Sequence, residues 1–293
     1  MNIGRRGFLW ALLSVGLSAC TPPVPYRVSS GGIVSLDWAL AETLIVLGHP
    51  PVGVVAASDW DRFVIEPRLP STVADLGLQQ ELNFELIAGL QPDLILISPF
   101  LEHLQPQLTR IAQTWNLSVY SAGATPLSNR MDIAKELALF VGENSQGMAY
   151  LLEFSQFLET QRKKIAGLNK RPIVIVSFVD NRHVRIYGGS SLYAEVLDCL
   201  GITNGWDKPV GYFGFSTIGI EKLSTLGDVE FIAVEPVPQG ISNALESSPI
   251  WQNLPFIKTN HWGMLEPVFM YGGVPSANRM VRLLSSYLES KWA

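Results

Sequence analysis

The residues best placed for chemistry are aromatic, and many fall where strands and turns end rather than at core spacing. Trp38 follows the apolar run Ile33 to Leu36, Trp60 and Phe63 follow the run Pro51 to Ala56, and Phe100 follows Leu94 to Ile97. In the second half Tyr212, Phe213 and Phe215 share a glycine-rich loop, and Trp262, Phe269 and Tyr271 come before the last helical stretch. The carboxyl ends of strands in an open αβ sheet line the ligand crevice. Rings gathered there with few charges predict a cleft for a bulky amphipathic small molecule. About half of them are expected to pack core instead, because aromatic side chains are so often buried.

Covalent and metal chemistry find little support. The chain has no dinucleotide-type glycine fingerprint, no phosphate loop and no paired-histidine zinc motif. The segment Gly214 to Gly219 around Ser216 misses the nucleophile-elbow pattern, its second glycine being one place late. His49, His103, His183 and His261 are widely spaced. No cluster of Tyr, Asp or Glu offers the oxygen ligands that hard Fe(III) requires. Cys199, in Leu-Asp-Cys-Leu-Gly, reads as a small buried hydrophobe at a helix end.

The elements that must position the rings alternate in type. Ile33 to Leu36, Pro51 to Ala56, Val73 to Asp75 and Leu94 to Ile97 read as strands. Ala39 to Leu47, Phe84 to Leu90 and Leu104 to Trp115 read as helices, followed by a strand at Leu117 to Tyr120. Residues 127–168 hold two helical faces divided by Gly142, and the second, from Asn144 to Leu168, would run about 35 Å. Arg171 and Pro172 end it. A strand at Ile173 to Phe178 then turns through Asp180 to Arg182 into Val184 to Tyr187. Helical stretches at Leu192 to Leu200 and Ile220 to Leu226, a strand at Phe231 to Val234 and a helix at Ser276 to Leu288 complete the second half. Glu85 to Ile95 and Glu221 to Phe231 echo each other, each with an acidic residue opening a helix before a core strand. This pattern predicts an α/β protein of two Rossmann-like lobes, 32–143 and 171–293, with mostly parallel sheets joined by a single backbone helix over 144–170.

The N-terminus carries an address. Arg5 and Arg6, the apolar run Phe8 to Leu17, and Leu17-Ser18-Ala19-Cys20 read as an export signal over 1–19 whose cleavage exposes Cys20. The last four residues are similar to a bacterial lipobox, and the paired arginines to the twin-arginine export pattern. Pro22, Pro23 and Pro25 make 20–31 an extended spacer behind a lipidated Cys20. The run is too short to span a bilayer. Formal net charge is −5 at pH 7, and loss of Arg5 and Arg6 with the signal makes the mature chain more acidic still. That argues against a nucleic-acid partner. The expected location is the periplasm or cell surface, tethered by lipid.

Ile33 to Trp38, Glu66-Pro67-Arg68-Leu69-Pro70, Asp75 to Leu78 with Asn83 to Leu86, and Tyr271-Gly272 together carry a family likeness. On these residues the chain resembles the ferric hydroxamate siderophore-binding proteins of bacterial ABC importers, the helical-backbone class of periplasmic binding proteins. The resemblance implies a monomeric, non-catalytic receptor without cofactor. Its ligand would be an Fe(III)-siderophore, and its partner an inner-membrane permease with its ATPase. Trp38, Phe63, Phe213, Phe269 and Tyr271 match the family's cleft wall, to which position along the chain adds Trp60, Phe100 and Tyr212. Two positions that contact the iron centre as Arg and Tyr in better-known members are Gln79 and Leu101 here, leaving Tyr271, Tyr212 or Arg62 to supply a donor. Glu85 and Glu221 match the residues that dock each lobe on the permease. Other ligands compatible with such a cleft are haem, a cobamide or a catecholate chelate, and the alternative from another class is an extracytoplasmic hydrolase using Ser216.

Overall fold

A computed structural model describes residues 31–119, 126–168 and 171–292. The signal, Cys20 and the spacer lie outside these residues, as does Tyr120. The first lobe is built on a five-stranded parallel sheet of β1 (Ile33–Ser35), β2 (Gly53–Val54), β3 (Ala74–Asp75), β4 (Leu94–Ile97) and β5 (Gln113–Asn116), in the order β3-β2-β1-β4-β5. Alternation along its central strands divides the core. Ile33, Leu94 and Leu96 face helix α1 (Trp38–Val46) and helix α2 (Pro126–Phe140), whereas Val34, Ile95 and Ile97 meet Leu76, Ile87 and Leu108 on the other side. A small hairpin, Gly77–Leu78 with Glu81–Leu82, extends beyond β3.

Helix α3 (Asn144–Ile165) leads into the second lobe. That lobe has β6 (Ile173–Phe178), β7 (His183–Tyr187), β8 (Phe215–Gly219), β9 (Glu230–Val234) and β10 (Trp262–Leu265), in the order β8-β7-β6-β9-β10. The β6-β9-β10 part is parallel and β6-β7-β8 antiparallel. The turn between β6 and β7 is the expected one: Asp180 accepts the Arg182 and His183 N–H groups. Helix α4 (Leu192–Cys199) covers the sheet, and Cys199 is half-buried with its thiol pushed up by burial, as suits a packing residue. No helix among the described residues is long and apolar enough to cross a membrane.

The final helix, α5 (Val274–Trp292), holds the lobes together. Met280, Leu284 and Leu288 pack in the second-lobe core, while Arg279 and Arg282 both reach Glu66 of the first lobe. Its first turn is capped from the opposite lobe. The Glu42 carboxylate of α1 accepts the Gly273 and Ser276 N–H groups and the Ser276 hydroxyl. Arg130 of α2 donates to the Gly272 carbonyl beside it. A Cβ at Gly272 would overlap the Ser276 side chain, so only glycine permits this approach.

Several stretches differ from the sequence expectation: Phe215, read within a glycine-rich loop, opens β8, and β10 and the short helices between 241 and 258 were not foreseen. The helix expected over 104–115 is a 3₁₀ segment Pro99–Leu104 continued by Gln105–Leu108, and the strand expected at 117–120 is β5, several residues earlier. Pro99 and Pro106 start helical segments readily, which moves the helix upstream. The register Leu94↔Gln113 to Ile97↔Asn116 then fixes the strand. Leu117 and Val119, which suggested the later strand, are buried in the core just beyond it.

Candidate functional site

The site starts at a helix cap. Asp37 accepts the N–H groups of Ala39 and Leu40, starting α1 directly after β1 and projecting Trp38 from the first turn. The Trp38 indole is fixed by donation to the Val55 carbonyl at 2.6 Å. From it a chain of rings crosses between the lobes. Trp38 meets Phe269 at 5.2 Å, Phe269 meets Tyr271 at 5.7 Å, Tyr271 meets Phe213 at 5.6 Å, and Phe213 stacks on Phe100 at 5.2 Å. These spacings and tilts are favourable aromatic geometries, worth about 0.5–1.5 kcal/mol per pair beyond area burial.

The rings bound a cavity of about 400 Å³. Of the residues expected there, Trp38, Gln79, Phe100, Phe269 and Tyr271 line it. Phe213 flanks it through Phe100 and Tyr271; Phe63 packs on Trp38 with Arg62 over its ring; and Tyr212 sits exposed at the rim against Phe213. Trp60 and Leu101 turn away from it altogether. Trp60 is only 1% exposed, packed edge-on beneath Trp38 with its N–H donated to Pro67, so it supports the wall instead of forming it. Leu101 points into the first-lobe core, and its neighbour Phe100 takes the cavity position. Val55, Leu78 and Gln80 were missed by sequence reasoning. Only Leu78 left a signal, an apolar residue set beside Gln79 and Gln80 in a tight hairpin and 51% exposed.

Charge on the wall is sparse. The Asp37 carboxylate is raised by burial and already occupied by the α1 N–H groups. Burial also raises the Tyr271 phenol, which keeps its O–H available as a donor at neutral pH. Ser216 donates its hydroxyl to the Pro209 carbonyl at 3.2 Å, an acceptor that cannot take the proton as a general base would. Glu85 and Glu221 are exposed, each in the first turn of a short helical segment, Phe84–Gly89 and Ile220–Thr225.

A family model described as periplasmic binding protein matches residues 33–266, which takes in both sheets and, of the ring chain, Trp38, Phe100 and Phe213. The chain belongs to the periplasmic binding protein family. Members of this family bind substrates without transforming them. The chain is similar over 99% of its length to the iron(3+)-hydroxamate-binding protein FhuD of Escherichia coli, with 29% identity and 98% of that protein covered. It is 26% identical to a probable siderophore-binding lipoprotein of Bacillus subtilis, covering 94% of this chain and 86% of that one. Among solved structures, the Desferal-bound siderophore-binding protein FhuD of Vibrio cholerae superposes with a TM-score of 0.83 at 25% identity, covering 88% of this chain and 97% of the other.

Proposed function

We propose that this protein captures a ferric siderophore of hydroxamate type between its lobes and hands it to an ABC permease without catalysis. The observation that carries the reading is the ring chain from Trp38 to Phe100 around a cavity of about 400 Å³ with little charge on its walls. A trihydroxamate chelate has a bulky, largely apolar periphery and oxygen acceptors at its iron centre. Rings answer the first, and Tyr271, Gln79 and Gln80 answer the second. The two FhuD proteins that this chain is similar to are a hydroxamate binder and a Desferal complex by their own descriptions.

Intrinsic tryptophan fluorescence titrated with ferric hydroxamates tests the reading. Quenching at micromolar concentration or below is expected, and silence towards every ferric hydroxamate would end it; a response only to haem, a cobamide or a ferric catecholate would move the ligand class. Trp38→Ala removes the ring at the head of the chain and should weaken binding about tenfold or more, some 1.4 kcal/mol. An unchanged Kd in that variant would take Trp38 out of the site.

The same reading includes export, with twin-arginine translocation at Arg5 and Arg6 and lipidation at Cys20 after removal of 1–19. Cys20→Ala should release the protein from membranes into the soluble fraction with its chelate affinity intact. If the variant still sediments with membranes, the tether lies elsewhere.

A further inference from the structure

Residues 266–273 join β10 to α5 and carry Phe269 and Tyr271 into the ring chain, yet they belong to no helix or sheet. Side chains from other elements hold the segment where a ladder would otherwise do so. Arg279 of α5 donates to the Pro267 carbonyl at 2.8 Å, Tyr193 of α4 to the Val268 carbonyl and Arg130 of α2 to the Gly272 carbonyl, while Glu42 of α1 accepts the Gly273 N–H. From 267 to 273 only Phe269 and Tyr271 are not buried. The backbone is therefore fixed from behind, and its two rings are left to line the cavity.

Arg279 reaches further than this segment. It is only 3% exposed, and its guanidinium also meets Glu266 at 2.6 Å and Glu66 of the first lobe at 2.7 Å. Pro67, the next residue, accepts the Trp60 N–H, and Trp60 packs edge-on beneath Trp38. One planar fork thus holds the second-lobe segment that carries Phe269 and the first-lobe segment that supports Trp38. Those two rings meet at 5.2 Å, where the ring chain crosses between the lobes. Removing either arm would leave a buried charge short of a partner, which ties the two segments into one unit. Rings held in their binding arrangement beforehand spare the ligand the cost of ordering them.

We infer that Arg279 is a positioning residue of the binding site: it presets Phe269 against Trp38 and so raises the affinity for the chelate, although it does not line the cavity. This rests on the siderophore reading above and deepens it, by assigning part of the affinity to a residue behind the wall.

Ferrioxamine B serves as the probe, with Kd read by tryptophan quenching at a temperature where circular dichroism shows each variant folded. Arg279→Lys keeps the charge but loses the fork, and it should weaken binding about tenfold. That loss should run through the ring. In a Phe269→Ala background the same substitution should cost no more than about twofold, because the group it positions is gone; a merely structural arginine would weaken both backgrounds equally. Glu66→Ala removes the first-lobe arm at a half-exposed position and should give a several-fold loss with the same dependence on Phe269, which carries the test where Arg279→Lys does not fold. Affinities within about twofold of wild type in these variants, or equal losses in the two backgrounds, overturn the role of Arg279 alone. Failure of the wild type to bind any ferric hydroxamate overturns the siderophore reading and this inference with it.

Discussion

Glu42→Ala is expected to lower stability by about 1–3 kcal/mol for each buried donor it leaves unpaired. Glu42 is fully buried, and its two oxygens receive the Gly273 and Ser276 N–H groups and the Ser276 hydroxyl. Truncation would strand these donors in the core and remove a carboxylate near Arg130, itself only 1% exposed. Glu42→Gln should be much milder, because an amide oxygen still accepts from the backbone and the Ser276 hydroxyl can turn to accept from the amide N–H. The pH dependence has a definite sign. Burial pushes the Glu42 carboxyl up from 4.5 to about 8, against the opposing pull of its donors and Arg130. The folded state therefore holds a proton that the unfolded chain has released, and stability falls as pH rises from about 4.5 to about 8. Asp37, also raised by burial, adds to the same trend. Denaturant melts from pH 5 to 8.5 should show the decline in wild type and a shallower one in Glu42→Gln. Equal stability of Glu42→Ala and wild type, or a rise across that window in wild type, would refute the assignment.

That network also marks where sequence reading stops. The parallel sheets were legible because Leu94 to Ile97 and Ile173 to Val176 are apolar without a break, as a strand buried on both faces requires. The backbone helix was legible from the periodicity of Leu151, Phe154 and Ile165, and its observed end at Ile165 precedes the Gly167 that adopts a positive φ of 85°. By contrast, the start of α5 depends on a cap 231 residues away in sequence, and no local pattern announces it. The site was divided in the same way. Position after a strand brought Trp38 and Phe100 into view and the family resemblance Phe269 and Tyr271, but the rule of position also selected Trp60. A ring after a strand can turn towards the cleft or back beneath its neighbour, and the Pro67 carbonyl decided for Trp60.

Reversing the charge of Glu85 and Glu221 together should abolish uptake of the ferric chelate by whole cells while leaving its Kd within about twofold of wild type. The two residues occupy corresponding places in the lobes: each opens a short helical segment that precedes a core strand, β4 or β9. Both are exposed, and neither forms an ion pair among the described residues, so their charges serve no contact within the fold. The Glu221 carboxylate lies over Gly219. A helix-start carboxylate also gains from the helix dipole, typically about 0.3–1 kcal/mol at the surface. If that were their whole role, Glu85→Lys with Glu221→Lys would cost a little stability and leave uptake intact. If they dock the two lobes on basic residues of the permease, each reversal turns an attraction into a repulsion and the double variant carries both penalties. Compensating Lys or Arg to Glu changes on the permease should then restore transport, an outcome that stability effects could not produce. A matching loss of chelate affinity in the double variant would place the defect in the cleft and refute docking.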